Sequence, residues 1–324
     1  MLARHLRILD VPNQRSSHAT PTPRGGGLAI LAAFMLGLLI IHLIGDTVPI
    51  RSRYFWGFMV ALLLIVTVSF FDDVKDRSLL LKLGTQLLAI AIVMSTGIFI
   101  DEMRLPWAGL IMKQWWFYPL TALWILGLTN AYNFMDGLDG MAASTAVVVS
   151  IFFSAIAFQQ GSHFIYLASL VLCAASLGFL LFNWSPAKIF MGDVGSTFLG
   201  FTFAVMAIIA ARYDLSHTSL FVLPLLLFHF IFDTAFTFLR RLAKWQHVLQ
   251  AHRTHLYQLL NQLGYSHRAV SSLYAAMAFM QGLAAIWMVN NLGESRPLMY
   301  FPFLILHGIY AIWVVSAAKK RGLL

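Results

Sequence analysis

Along this chain, long apolar runs alternate with short breaks rich in charge, glycine or proline. Reading the runs between the breaks yields ten candidate spans, near residues 25–44, 54–71, 79–100, 115–134, 141–158, 163–182, 196–211, 219–239, 269–289 and 298–317. As helices, these are long enough to cross a hydrocarbon core of about 30 Å. The pattern predicts an all-α, polytopic membrane helix bundle of about ten transmembrane helices, forming one integral-membrane domain over 1–324. Residues 1–24 and the loop 240–268 are the longer stretches outside the spans.

Composition agrees with that pattern. Of 324 residues, 60% are hydrophobic and 11% charged, with a mean hydropathy of +0.77. A soluble domain carries about 25% charged residues, so a water-soluble globular protein is excluded. The single cysteine, Cys173, lies inside an apolar run, which leaves neither a disulfide frame nor a thiolate metal site; packing is its expected role. The first 24 residues hold several charges and lack the apolar core of a secretory signal.

The net charge is +9, and its distribution says more than its size. Ten alternating crossings sort the connecting segments into two sets. Of the 22 Lys and Arg, only Arg51, Arg53, Arg104, Lys113, Arg212 and Arg296 fall in one set. The rest lie in the N-terminal segment, residues 72–82, Lys188, the 240–268 loop and the tail, so the positive-inside rule makes that side cytoplasmic, both termini included. Asp72, Asp73, Asp76, Asp136, Asp139 and Asp193 fall on the same basic side. No nucleic-acid partner is expected.

Five constellations carry candidate chemistry. Phe71-Asp72-Asp73-Val74-Lys75-Asp76 ends the second span, and carboxylates at a membrane boundary should face a cavity, a cation or a basic partner. Lys82, one to two turns into the next span, can snorkel to the same surface. Asn130, Asn133, Asp136 and Asp139 recur at three-residue intervals and so stay near one helix face, while Gly137 and Gly140 let the backbone leave the helix. Capping explains Asp139 but not two amides inside a span. Asp193, between Gly192 and Gly195, precedes the seventh span, where an N-cap alone would account for it.

His252 and His255, with Arg253 between them, offer too few ligands for zinc and suit phosphate better. His18 stands in the polar segment before the first span. Arg24 precedes three glycines that can form a backbone nest for an anion. The His229/Asp233 pair near the end of the eighth span reads as structural. Several carboxylates would repel a phosphorylated ligand unless a divalent cation lies between them, and oxygen ligands without cysteine favour Mg²⁺ or Mn²⁺. The chemistry this implies is metal-assisted phosphoryl transfer at a membrane surface.

The ordered set DDxxD at Asp72 to Asp76, NAYNFMDGLDG at Asn130 to Gly140, FMGDVGS at Phe190 to Ser196 and the loop His252 to His255 resembles the polyprenyl-phosphate N-acetylhexosamine-1-phosphate transferases, over nearly the whole chain. Within that family it resembles the bacterial branch that starts O-antigen or other envelope glycans. Members that transfer phospho-MurNAc-pentapeptide typically carry three consecutive histidines where this chain reads His252-Arg253-Thr254-His255.

The resemblance implies that Asp193 is a direct Mg²⁺ ligand and Asn133 a second, with Asp72 and Asp73 beside the metal and the acceptor phosphate. It implies that Asp136 and Asp139 shape the nucleotide and metal pocket, that Lys82 faces the phosphates, and that His252, Arg253 and His255 hold the donor's pyrophosphate and sugar. Asn130, His18 and Arg24 complete the expected substrate-binding set. The implied reaction moves HexNAc-1-phosphate, from GlcNAc or a 6-deoxy relative, off a UDP-sugar onto undecaprenyl phosphate and releases UMP, on the cytoplasmic face of the bacterial inner membrane. Family members usually have one further span ahead of the Ser17 to Pro23 segment, eleven in all, so a first helix is expected to be missing here.

A secondary transporter also breaks helices and buries carboxylates, but would place them near the bilayer midplane, whereas these acids cluster at one edge. A homodimer stays open, because a lipid-facing seam and a dimer seam are both apolar.

Overall fold

The computed structural model describes residues 9–10, 21–44, 50–75, 79–105, 109–112, 115–213, 218–247, 250 and 252–324. Its helices are α1 (Gly27–Ile44), α2 (Ser52–Lys75), α3 (Leu79–Ser95), α4 (Phe117–Phe134), α5 (Met141–Gln159), α6 (His163–Asn183), α7 (Gly192–Ile208), α8 (Val222–Leu226), α9 (Phe228–Ala243), α10 (Leu256–Gln262), α11 (His267–Asn291) and α12 (Tyr300–Lys320). Seven helical segments of the described residues are long and apolar enough to cross a membrane, and Leu80–Ser95 is a shorter apolar helix. The chain is a multi-pass membrane protein built as an all-α bundle.

Nine of the ten expected spans each fall on one helix, with informative differences, and the other is broken. The second was expected to stop before its acids, yet α2 continues to Lys75 and carries Asp72 and Asp73 in its last turns. The seventh was expected from residue 196, yet α7 starts at Gly192 and takes Asp193 into its first turn. It ends in a π-helical turn, Ile209–Tyr213. The expected span 219–239 is not one helix: the chain turns at Leu227, between α8 and α9. An unbroken apolar run cannot register such a turn, because α8 packs on α5 and α11 while α9 packs on α4, α11 and α12. Two short antiparallel pairs, Leu9–Asp10 with Thr22–Pro23 and Glu102–Leu105 with Gly109–Met112, were also not foreseen.

α7 is the hub. Among its residues Phe198, Phe201, Phe203 and Met206 are fully buried, and it packs against α1, α2 and α4. α12, by contrast, exposes Leu304, Ile305, Ile309 and Ile312. Lipid is as apolar as leucine, so association in a bilayer rests on close van der Waals fit and small residues at the contacts. α7 meets that demand with Gly195 against α1 and Gly200 against α4.

Candidate active site

Helix ends far apart in sequence meet at one end of the bundle. The last turns of α2 bring Asp72 and Asp73, the start of α3 brings Lys82, the end of α4 brings Asn130 and Asn133, and the first turn of α7 brings Asp193. Lys82 Nζ lies between two carboxylates, pairing with Asp72 and lying 2.7 Å from Asp193 Oδ2. Asn133 Nδ2 donates to Asp193 Oδ1 at 3.1 Å and to Ser196 Oγ at 2.9 Å. Asn130 and Gln86 form a reciprocal amide pair, with Asn130 Nδ2 donating to Gln86 Oε1 at 2.8 Å.

Asp73 does separate work. The start of α7 has backbone N–H groups without helical partners and the positive end of a dipole. Asp73 Oδ1 accepts from Asp193 N at 3.1 Å and Oδ2 from Val194 N at 3.2 Å, so a carboxylate from α2 caps α7 from outside. Gly192 makes this approach feasible: its φ is +75°, and a methyl group there would lie 2.6 Å from Asp73 Oδ2.

Asp136 follows in the turn after α4. It keeps a partly exposed edge but is densely surrounded by protein. Burial, and then the charges of Asp193 and Asp73, push its carboxyl well above the usual carboxylate range, against the opposing pull of Arg24. A carboxyl whose folded-state pKa is raised costs stability once pH exceeds its unfolded value, and that cost grows up to the folded pKa. Asp136→Asn keeps the shape without the titration. The variant's melting temperature should therefore exceed that of wild type by about 2–4 °C at neutral pH, and by progressively less towards pH 4. Thermal unfolding of the ligand-free protein across that range checks this; an advantage that does not change with pH would refute it.

Asp139 turns elsewhere. Its Oδ1 lies 3.3 Å from His267 Nδ1 and its Oδ2 accepts from Ala187 N at 3.1 Å, while its carbonyl accepts from Ser271 Oγ. Burial raises its pKa, but the His267 and Ala187 hydrogen bonds outweigh that and hold it below the usual range. Asp139 thus ties the 136–140 turn to α11 and to the loop after α6. Asn183 does the same from α6, accepting from Gly140 N at 3.0 Å and donating to Ile189 O.

Arg24 lies close enough for its charge to act on Asp73 and Asp136. The anion nest expected after it does not form, because Gly26 N and Gly27 N donate to Phe190 O and Met191 O. Those amides stitch the start of α1 to the segment before α7. His18 and Asp76 lie outside the described residues.

The histidine loop forms a second group beside the first. His252 and His255 stack with ring centroids 5.0 Å apart, and His255 lies 6.1 Å from the Phe134 ring at the end of α4. Burial, and then the neighbouring His255, Arg241 and Arg240, hold His252 at about 4, so it is neutral at pH 7. Gln262 Nε2 fastens the Arg253 carbonyl at 2.6 Å. Tyr257 Oη donates to Phe134 O at 2.9 Å, joining α10 to the end of α4.

Gln86, Asn183, Tyr257 and His267 were missed as participants, Ser196 was seen only as the end of the FMGDVGS motif, and Asp233 was read as structural with His229. Gln86 had a signal, since it stands four residues after Lys82 on one helix face. Asn183, Tyr257 and His267 are brought in by helix packing alone.

A cavity of about 30 Å³, bounded by Lys82, Gln86, Asn130, Asn133, Asp193 and Thr197 among others, adjoins the carboxylates. It has room for a single small ion or a water. Its polar lining offers the Asp193 carboxylate, the amides of Gln86, Asn130 and Asn133 and the hydroxyls of Ser69, Thr85 and Thr197, oxygen ligands of the kind that suit Mg²⁺ or Mn²⁺. Among the described residues no three His, Cys, Asp or Glu side chains already converge as a metal cage. Mg²⁺ seldom needs one, because it is usually held by one or two carboxylates together with substrate phosphates. The residues present therefore fit that ion, with Asp193 and Asn133 both lining the cavity.

Fold and site together define a polytopic membrane transferase whose acidic and basic side chains meet at one rim of the bundle. Residues 55–211 match the family model of glycosyl transferase family 4. The chain is 33% identical over 286 residues to a probable undecaprenyl-phosphate N-acetylglucosaminyl 1-phosphate transferase of Bacillus subtilis, covering 88% of this chain and 78% of the relative. It is 30% identical over 298 residues to a decaprenyl-phosphate N-acetylglucosaminephosphotransferase of Mycobacterium tuberculosis, covering 83% and 73%. A phospho-N-acetylmuramoyl-pentapeptide-transferase of Listeria welshimeri is 33% identical over 200 residues, 58% of this chain and 61% of the relative. The chain belongs to the polyprenyl-phosphate N-acetylhexosamine-1-phosphate transferase family.

Proposed function

We propose that this chain transfers HexNAc-1-phosphate, GlcNAc or a 6-deoxy-HexNAc, from a UDP-sugar to undecaprenyl phosphate and releases UMP, as a first membrane step of O-antigen or other envelope glycan synthesis. The observation that carries this reading is the meeting of Lys82, Asn133 and Asp193 at one small cavity, with Asp72 paired to the same Lys82 and the His/Arg loop alongside. The excess of Lys and Arg on the site's side favours a cytoplasmic active site in the bacterial inner membrane.

A phosphate oxygen of the lipid attacks the sugar-bearing phosphorus. A new P–O bond forms, the bond to UMP breaks, and its electron pair leaves on the UMP phosphate. One phosphoanhydride replaces another, so no ATP is required. The acceptor monoester has a second pKa near 6 and is largely dianionic at neutral pH, so a strong general base is not needed. Direct attack is therefore favoured over an aspartyl-phosphate on Asp72 or Asp73.

Asp193 and Asn133 would hold Mg²⁺, which would supply positive charge to offset the substrate anions. Lys82 neutralises phosphate oxygens, Asp72 orients the acceptor, and Asp73 holds the start of α7 so that Asp193 faces the cavity. His252, Arg253 and His255 grip the donor.

The test is label transfer by purified protein with undecaprenyl phosphate and a panel of UDP-HexNAc donors. One donor should give lipid-linked product and equimolar UMP, dependent on Mg²⁺. No product with any of them would overturn the proposal.

A further inference from the structure

Asp233 is the most heavily engaged carboxylate outside the cluster, and the reaction as proposed does not use it. It is 1% exposed, on α9. Five donors converge on it: Thr237 Oγ1 at 3.2 Å, His255 Nδ1 at 3.2 Å and Leu256 N at 2.9 Å on Oδ1, then Tyr257 N at 3.2 Å and Tyr274 Oη at 2.7 Å on Oδ2. Two of these are backbone amides at the start of α10, so Asp233 caps that helix from another helix. The third, His255 Nδ1, belongs to the residue just before it.

A carboxylate only accepts, so the proton of His255 sits on Nδ1 and Nε2 is left as the atom offered to a ligand. Ring orientation is set by the same contact. Tyr257, held by Asp233 through its amide, reaches Phe134 O through its hydroxyl and so carries that placement across to the end of α4, three residues before Gly137.

We propose that Asp233 is a positioning residue for the sugar-nucleotide donor: by accepting from His255 Nδ1 and from the first two amides of α10 together, it sets the tautomer and orientation of His255, so that Nε2 is offered as an acceptor to a hydroxyl or amide N–H of the donor's sugar. This rests on the transferase reading for the identity of the ligand, though the anchoring itself does not.

Two measurements test it. In a double-mutant cycle, Asp233→Asn should lower kcat/KM for the UDP-sugar by about 10–100-fold, the usual cost of removing a residue that orients a functional histidine, with KM for polyprenyl phosphate unchanged. In a His255→Ala background the further loss should be under about threefold, since both changes remove one function. Thr237→Val removes a different donor from the same carboxylate and should leave both constants near wild type.

Hydrogen–deuterium exchange of the unliganded protein should show faster exchange over residues 254–262 in Asp233→Asn and not in Thr237→Val. Full additivity in the cycle, or unchanged exchange over 254–262, overturns the proposal. Absence of transfer by the wild-type protein with every sugar nucleotide would overturn the transferase reading instead, and the exchange result would still decide whether Asp233 holds the loop.

Discussion

Asp193→Ala is expected to abolish transfer, lowering kcat/KM by about 10³-fold or more while leaving yield and membrane insertion near wild type. Phosphoryl transfer depends mostly on charge neutralisation and positioning, and single cationic groups in such sites contribute about 10³–10⁵ in rate. Asp193 bears on both. It accepts from Lys82 and from Asn133, and it borders the cavity where a metal would sit. Removing it frees Lys82 to pair with Asp72 alone and leaves the Asn133 amide with Ser196 only. Mg²⁺-dependent UMP release measures the effect; a variant that retains a large share of activity would place Asp193 outside the reacting centre.

Gly27→Val should produce the largest loss of stability. A methyl group on Gly27 would lie 2.3 Å from Gly195 N and 2.4 Å from its Cα. Backbone atoms cannot swing aside as a side-chain end can, so α1 would have to move away from α7. The Gly26 and Gly27 amide bonds to Phe190 and Met191 would break with it. Overpacking of this kind costs about 1–3 kcal/mol, or a melting-temperature drop of roughly 5 °C. Because Gly195 lies two residues from Asp193, activity should fall in parallel. Gly84→Ala, where no atom lies within 4 Å, is the control and should be neutral. Equal melting temperatures for the two variants would refute the tight α1–α7 contact.

The motifs were legible because phosphate and metal chemistry needs particular residue types, and those types are conspicuous in an apolar chain. Asp72, Asp73, Asn133 and Asp193 stand out on that ground alone. What spacing could not reveal is that Asp73 caps α7 while Asp72 pairs with Lys82, although the two are neighbours in sequence. Successive residues on a helix point about 100° apart, so adjacent aspartates meet different partners once the helices pack. Asp139 shows the same limit: it shares the three-residue spacing of Asn133 and Asp136, but the chain has left the helix by then, and its carboxylate serves His267 and Ala187. The Gly-rich entry to α1 was read as an anion nest, whereas its amides pair with the backbone before α7.

By itself, the sequence determined the membrane-spanning class, the placement of most spans and the side on which the acids and bases gather, since these follow from hydrophobic length and charge, which are local quantities. Tertiary structure alone decided which carboxylate faces the cavity, which caps a helix and which steadies a histidine. Those roles depend on hydrogen bonds between separate helices, from 22 residues apart for Asp233 and His255 to 120 for Asp73 and Asp193, and no local pattern encodes the packing angles that close them.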